Sequence, residues 1–315
     1  MKKLLVGAAV LLVAGAALWQ SGIVHDFIVR SEWAKEKIER FAGRTLNSHL
    51  NNLGRLGYYE EGTWIPFTLN ELTKRTWRPE QAFLHPRVDF QRVTDGLRLG
   101  NLAVKHENGT PYDIVFLEVD PAHAQLRVLV NDERVRESAY VKDMVANHDA
   151  LAGINAGFFD DDGALGLVLR AGRTLRPANA SPGYFVVNDG RPSIRVQRNL
   201  RLRGFDEGIQ CSPVLIREGQ VYSYVSEGKN ASEVARRSAV AVTYQNKILL
   251  LTTDVQLGGL TIQQLTTVLA GLGARHALAL DGGASTQLFV SHSDLEKDVR
   301  GWDPVPVALG VFPVP

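Results

Sequence analysis

After Pro86 the chain runs as a succession of short β-prone segments separated by turn residues, a rhythm that leaves little room for a helical or regularly alternating fold. Asp113–Val119 and Gln125–Val130 flank the turn pair Asp120-Pro121, and comparable runs occur at Tyr184–Asn188, Val214–Arg217, Ser238–Tyr244 and Lys247–Thr253. Gln245-Asn246 joins the last two, so a hairpin is the economical assignment. One helix interrupts the strands. Thr261-x-x-Gln264 has the form of a capping box, Ile262, Leu265, Leu269 and Leu272 share a face, and Gly271 or Gly273 can end it. His276–Asp281 then reads as a buried strand ending in an acid. The expected class is α+β: a strand-dominated mixed-sheet domain with few helices and no βαβ alternation.

A chain of 315 residues with 45% hydrophobic and 22% charged residues can bury a sizeable core and is far from the composition of disordered proteins. Lys and Arg number 35 against 34 Asp and Glu, so no global field points to nucleic acid. The single cysteine, Cys211, rules out an intrachain disulfide and a Cys-rich zinc site; a buried, inert thiol is its expected state.

The amino terminus reads as an address. Met1-Lys2-Lys3 precedes Leu4–Trp19, a run without a charge, and Ala14-Gly15-Ala16 offers a small-x-small cleavage site. The run is only a little short of a spanning helix, so both a cleaved signal peptide and a retained membrane anchor are open. In either case the positive residues ahead of it place the rest of the chain on the periplasmic or extracellular face, secreted or held at the inner membrane. From Asp26 to about Leu56, Phe27, Ala34, Ile38, Phe41, Leu46, Leu50 and Leu53 mark one face of an amphipathic helix. Its mixed-sign charges favour packing on protein over lying on a membrane. Residues 57–85, with Gly57, Gly62, Pro66 and Pro79 among scattered aromatics, read as an irregular connector. The expected organisation is therefore 1–20 signal or anchor, 21–85 helix and connector, and 86–315 main domain.

Four segments could carry chemistry. In Asp281-Gly282-Gly283-Ala284-Ser285-Thr286 a carboxylate at a strand end meets a flexible turn and two hydroxyls. The glycines allow backbone N–H groups to converge on an anion, and Ser285 and Thr286 add donors. Asp281 could hold a substrate hydroxyl, act as acid or base, or bind a cation; it could equally cap its own turn. In Gly153–Asp160, Asn155 could bind sugar hydroxyls or a phosphoryl oxygen beside Gly157, over Phe158 and Phe159; a capped strand end above core aromatics is the plainer reading. Arg236-Arg237 leads into a strand and suits bidentate phosphate contact, although surface solvation is the usual fate of such a pair. Gln210-Cys211-Ser212-Pro213 puts a polar group before another strand. The eight histidines show no metal-ligand spacing, and neither a Walker loop nor a Gly-x-Ser-x-Gly elbow occurs.

Taken in order, Gly-Ile-Asn155-Ala-Gly157-Phe-Phe, Gly166-Leu-Val, Gln210-Cys-Ser-Pro213, Arg237-Ser-Ala-Val, Leu-Leu-Thr-Thr-Asp254, Gly258-Gly-Leu-Thr and Leu-Asp281-Gly282-Gly283-Ala-Ser285 form a series that resembles the phosphodiester glycosidase family, over roughly Val88 to Pro315. The resemblance implies hydrolysis of a sugar-1-phosphodiester at its glycosidic bond. It places Asn155, Arg237, Asp254, Asp281, Gly282, Gly283 and Ser285 at site positions. Asp281 is then the first choice as acid or base, Asp254 the second, and Arg237 the phosphodiester's counter-charge. Asn155, Gly157, Gln210, Gly282, Gly283, Ser285 and Thr286 are the expected substrate-binding residues. No cofactor is required, and a divalent cation near Asp281 remains open. The sequence departs from the family pattern at Ala284, Ser212 and Ala241, each adding a side chain where glycine is usual, which implies an altered pocket. A noncatalytic glycan- or phosphate-binding module of an envelope assembly, or a phosphodiesterase breaking the P–O bond, are the alternatives.

Overall fold

In the computed structural model, residues 53–67, 82–222 and 232–314 are described, so the expected signal or anchor and nearly all of the expected amphipathic helix lie outside the described residues. Asn51–Pro315 forms one compact unit. Its elements are β1 (Leu56–Glu60), β2 (Thr63–Pro66), β3 (Asp89–Thr94), β4 (Leu97–His106), β5 (Tyr112–Val119), β6 (Ala124–Val130), α1 (Val141–Asn147), β7 (Ala152–Asn155), β8 (Phe159–Asp160), β9 (Gly163–Ala164), β10 (Val168–Arg170), β11 (Arg173–Arg176), β12 (Gly183–Asn188), β13 (Arg191–Val196), β14 (Glu207–Cys211), β15 (Val214–Arg217), β16 (Gln220–Val221), β17 (Ser238–Thr243), β18 (Ile248–Asp254), α2 (Ile262–Gly271), β19 (Ala274–Ala279), β20 (Leu288–His292), β21 (Leu295–Val299) and β22 (Val307–Pro313).

The largest sheet has the order β16-β15-β19-β17-β18-β5-β4-β1-β2, with β3 also on β4. The second runs β11-β10-β14-β12-β13 and the third β21-β20-β7-β22-β6. Every pairing among the described strands is antiparallel, so the sheets are not of mixed direction. Central strands of the large sheet are buried on both faces, which is why they read as continuous apolar runs. In β17, Val240 and Val242 join Leu250, Leu278, Phe185, Ile209 and Leu309 in a core between sheets. Ala239 and Ala241 point the other way, into a second core with Leu265, Val268 and Leu269 of α2. Alanine on that face lets the helix approach the sheet closely.

The expected capping box is present: the Gln264 N–H donates to Thr261 Oγ1 at 3.1 Å, and the Thr261 N–H donates to Gln264 Oε1 at 2.9 Å. The β17–β18 hairpin turns at Asn246, in the left-handed region at φ 59°. Two expectations change. Residues 57–66 are not an irregular connector but most of the β1–β2 hairpin, which extends the sheet beyond β4. Its turn, Glu61-Gly62, has φ of 48° and 79°, the positive pair that matches the twist of a two-residue hairpin. Helix α1 was not expected; at seven residues it is too short to show a periodicity, although Val141, Met144 and Val145 form its buried side. No helix among the described residues is long and apolar enough to cross a membrane.

Candidate active site

The site forms where β19 leaves the large sheet and meets the end of β7. Just beyond β19 the Leu280 N–H donates to Ser238 O at 2.9 Å and the Asp281 N–H to Ala156 O at 2.9 Å. Asn155, the last residue of β7, is wholly buried. Its Nδ2 donates to Asp281 O at 2.7 Å, while its Oδ1 accepts Ser238 Oγ at 2.7 Å and the Gln287 N–H at 3.0 Å. One amide thus fixes the exit of β19, the start of β17 and the approach to β20.

Asp281 then enters the glycine turn. Its Oδ1 accepts the Gly282 N–H at 3.0 Å, and the Gly283 N–H donates to Arg236 O at 2.8 Å. A Cβ on residue 282 would lie 2.8 Å from Arg236 O, so glycine is required there by close approach. Gly283 is different: its φ is +62° and a Cβ would meet nothing within 4 Å, so its backbone borders open space. Burial pushes the Asp281 carboxyl up to about 6, opposed by hydrogen bonds from Ser285 and the Gly282 N–H and assisted by the charge of Asp303. The acid is therefore partly protonated near neutrality.

The arginine pair divides. Arg236 is 5% exposed; its Nη2 donates to Thr286 O at 3.0 Å and Arg300 O at 2.6 Å. Its Nε and Nη1 are buried without a hydrogen-bond partner among the described residues, and burial pulls its pKa down to about 10. Arg237 passes beside Gly282, Cδ lying 3.7 Å from where a Cβ would stand, and donates from Nε to Leu260 O at 2.9 Å and from Nη2 to Glu233 O at 2.6 Å.

The other expected residues scatter in role. Asp254, at the end of β18, ion-pairs with Lys297 of β21 at 2.7 Å. Gln210 is buried and engaged at both ends: Oε1 accepts the N–H groups of Leu167 at 3.1 Å and Asn179 at 2.8 Å, and Nε2 reaches Asn179 O, Ser181 O and Tyr184 Oη. Gly157 packs by Gln210 O. Ser285 faces Asp281, and Thr286 Oγ1 is buried without a hydrogen-bond partner among the described residues. Asn155 and Gln210 therefore shape the site from beneath. Cys211 is buried, and burial pushes its thiol up to about 12, the inert state expected. Among the described residues, no three His, Cys, Asp or Glu side chains converge to hold a metal ion.

Sequence reading missed Asp303. The N–H groups of Trp302 and Asp303 both donate to Ala284 O, at 2.7 and 3.2 Å, and Gln287 Nε2 donates to Asp303 O at 2.8 Å. The only local cue, Gly301-Trp302-Asp303-Pro304, looks like an ordinary turn.

A hypothetical protein from Synechocystis shares this fold with a TM-score of 0.61 at 18% identity, covering 72% of this chain; this chain spans 64% of that one. The catalytic domain of zebrafish N-acetylglucosamine-1-phosphodiester alpha-N-acetylglucosaminidase, in a form auto-inhibited by its pro-peptide, matches with a TM-score of 0.56 at 16% identity over 78% of this chain and 97% of its own. No curated protein matches significantly. The fold is thus one shared with a glycosidase catalytic domain. Residues 148–312, just over half the chain, match the phosphodiester glycosidase family, and the chain belongs to it.

Proposed function

We propose that this protein is an exported hydrolase that cleaves the glycosidic bond of sugar-1-phosphodiesters on envelope or extracellular glycans. The observation that carries the reading is Asp281: a largely buried carboxyl whose pKa lies near 6, beside a glycine turn open to solvent at Gly283, in a chain of this family. A carboxyl poised there can protonate the phosphodiester oxygen as the C–O bond breaks, and Ser285 keeps it oriented. Arg236 and Arg237 place positive charge under the turn, where the departing phosphate gathers negative charge. The reading requires no cofactor. Export rests on Lys2-Lys3 and the uncharged run to Trp19, whether that segment is cleaved or anchors the protein in the membrane.

The deciding experiment is turnover of a panel of sugar-1-phosphodiesters, with free sugar and phosphomonoester both quantified and Asp281→Asn as control. Release that disappears in the variant supports the reading. Carried out in isotopically labelled water, the reaction must place the label in the sugar; label in the phosphate would mean P–O cleavage. The side chains at Ala284, Ser212 and Ala241, where glycine is usual in the family, favour a second reading, a noncatalytic glycan- or phosphate-binding module of an envelope assembly. Binding that survives Asp281→Asn, with no turnover by the wild type, would establish it.

A further inference from the structure

We propose that Asp303, held against Ala284 of the Gly283–Ser285 turn, supplies the second working carboxylate of this site beside Asp281. The inference rests on the glycosidase reading and replaces Asp254, whose carboxylate is held by Lys297. Asp303 is fixed through its backbone. Its N–H and that of Trp302 converge on Ala284 O, and its own carbonyl accepts Gln287 Nε2 at 2.8 Å. Gln287 is itself bound to Asn155 Oδ1 through its N–H, so one buried network positions both acids. Asp303 is part-exposed with Oδ1 buried. Burial is the main cause that raises the Asp281 carboxyl, and the charge of Asp303 adds to it in the same direction. Among the described residues, Asp281 also has the Ser285 hydroxyl and the Gly282 N–H as hydrogen-bond donors, its charge reaches the buried Cys211 thiol, and the Arg237 stem lies beside Gly282.

The two acids divide the labour. Asp281 is the proton donor and Asp303 the proton acceptor. Water attacks the anomeric carbon as its bond to the phosphodiester oxygen breaks; that oxygen leaves with the bonding pair and takes the proton of Asp281. Asp303 takes the proton that water gives up. Free sugar and phosphomonoester depart, and return of a proton to Asp281 from solvent or from Asp303 resets the pair.

Carboxyl ¹³C NMR of the full chain, with the Asp281 signal assigned by its loss in Asp281→Asn, tests the pairing without turnover. In Asp303→Asn the Asp281 titration should move to lower pH, and in Asp303→Glu it should stay raised. Turnover of the best sugar-1-phosphodiester should fall about a hundredfold or more in Asp303→Asn. Azide added to Asp303→Ala should restore release and give the glycosyl azide. An unchanged Asp281 titration, or full turnover in Asp303→Asn, overturns the proposal. A wild type that turns over no sugar-1-phosphodiester while the titration still shifts overturns the glycosidase reading and leaves the carboxyl pair standing.

Discussion

Asn155 has no exposed surface, yet its amide satisfies one carbonyl, one hydroxyl and one N–H from three separate segments. Asn155→Ala would orphan all three in a buried place, and each such group costs about 1–3 kcal/mol. Loss of at least about 3 kcal/mol in chemical denaturation is expected, with activity falling along with it. Asp281 works in the opposite sense. Its folded pKa, about 6, lies above the ordinary 3.8, so the fold favours the neutral acid and that stability is lost as pH rises through about 6. Asp281→Asn removes the buried charge: the variant should be inactive but more stable than wild type at pH 8, by up to about 3 kcal/mol, and nearly equal at pH 4. Thermal melts at the two pH values check this. If Asp281 donates the proton, turnover should also decline above about pH 6, with the decline absent from substrate binding.

At the scale of elements, the parts whose signals are local were legible. The Thr261 capping box and the Asn246 turn stand where short-range patterns put them, and the buried strand expected before Asp281 forms as β19 but ends at Ala279, two residues short of the acid. What stayed hidden depends on partners distant in sequence. Nothing in Tyr58-Tyr59-Glu60 alternates cleanly, because β1 lies between β4 and the edge strand β2 and its burial is set by β4 and Phe67. Asp303 acquires its place from Ala284, nineteen residues earlier in the chain, and from Gln287, and the Asp254–Lys297 pair joins two different sheets. The same contacts give the element-scale tests. Thr261→Ala should cost about 1 kcal/mol in equilibrium unfolding. Gly282→Ala should cost more and impair turnover, because its Cβ drives against Arg236 O and shifts the turn that carries Asp281.

Across the described residues, the three larger sheets must be held in register. A single carboxylate in β14 does part of this: Glu207 accepts the N–H of Val128 in β6 at 2.8 Å and of Ala171 in the β10–β11 turn at 3.0 Å. Burial raises its pKa, so it sits there at a cost that the two N–H bonds offset. Glu207→Ala leaves both N–H groups without an acceptor and should destabilise the protein by about 2 kcal/mol or more, with Glu207→Gln intermediate; denaturant midpoints distinguish them.

Strand β22 carries a consequence of another kind. Val307–Pro313 lies between β6 and β7, pairing with one from Val130↔Val307 to Ala124↔Pro313 and with the other from Asn155↔Ala308 to Ala152↔Val311. Those neighbours are synthesised about 150 residues (β7) and about 180 residues (β6) earlier, and until residue 313 exists they have a vacant slot of two unpaired edges between them. The chain cannot fold vectorially as it emerges. Its third sheet, and with it Asn155 at the end of β7, must wait for the last strand to slide home, so such a protein needs its unfolded edges shielded until synthesis and any translocation are complete.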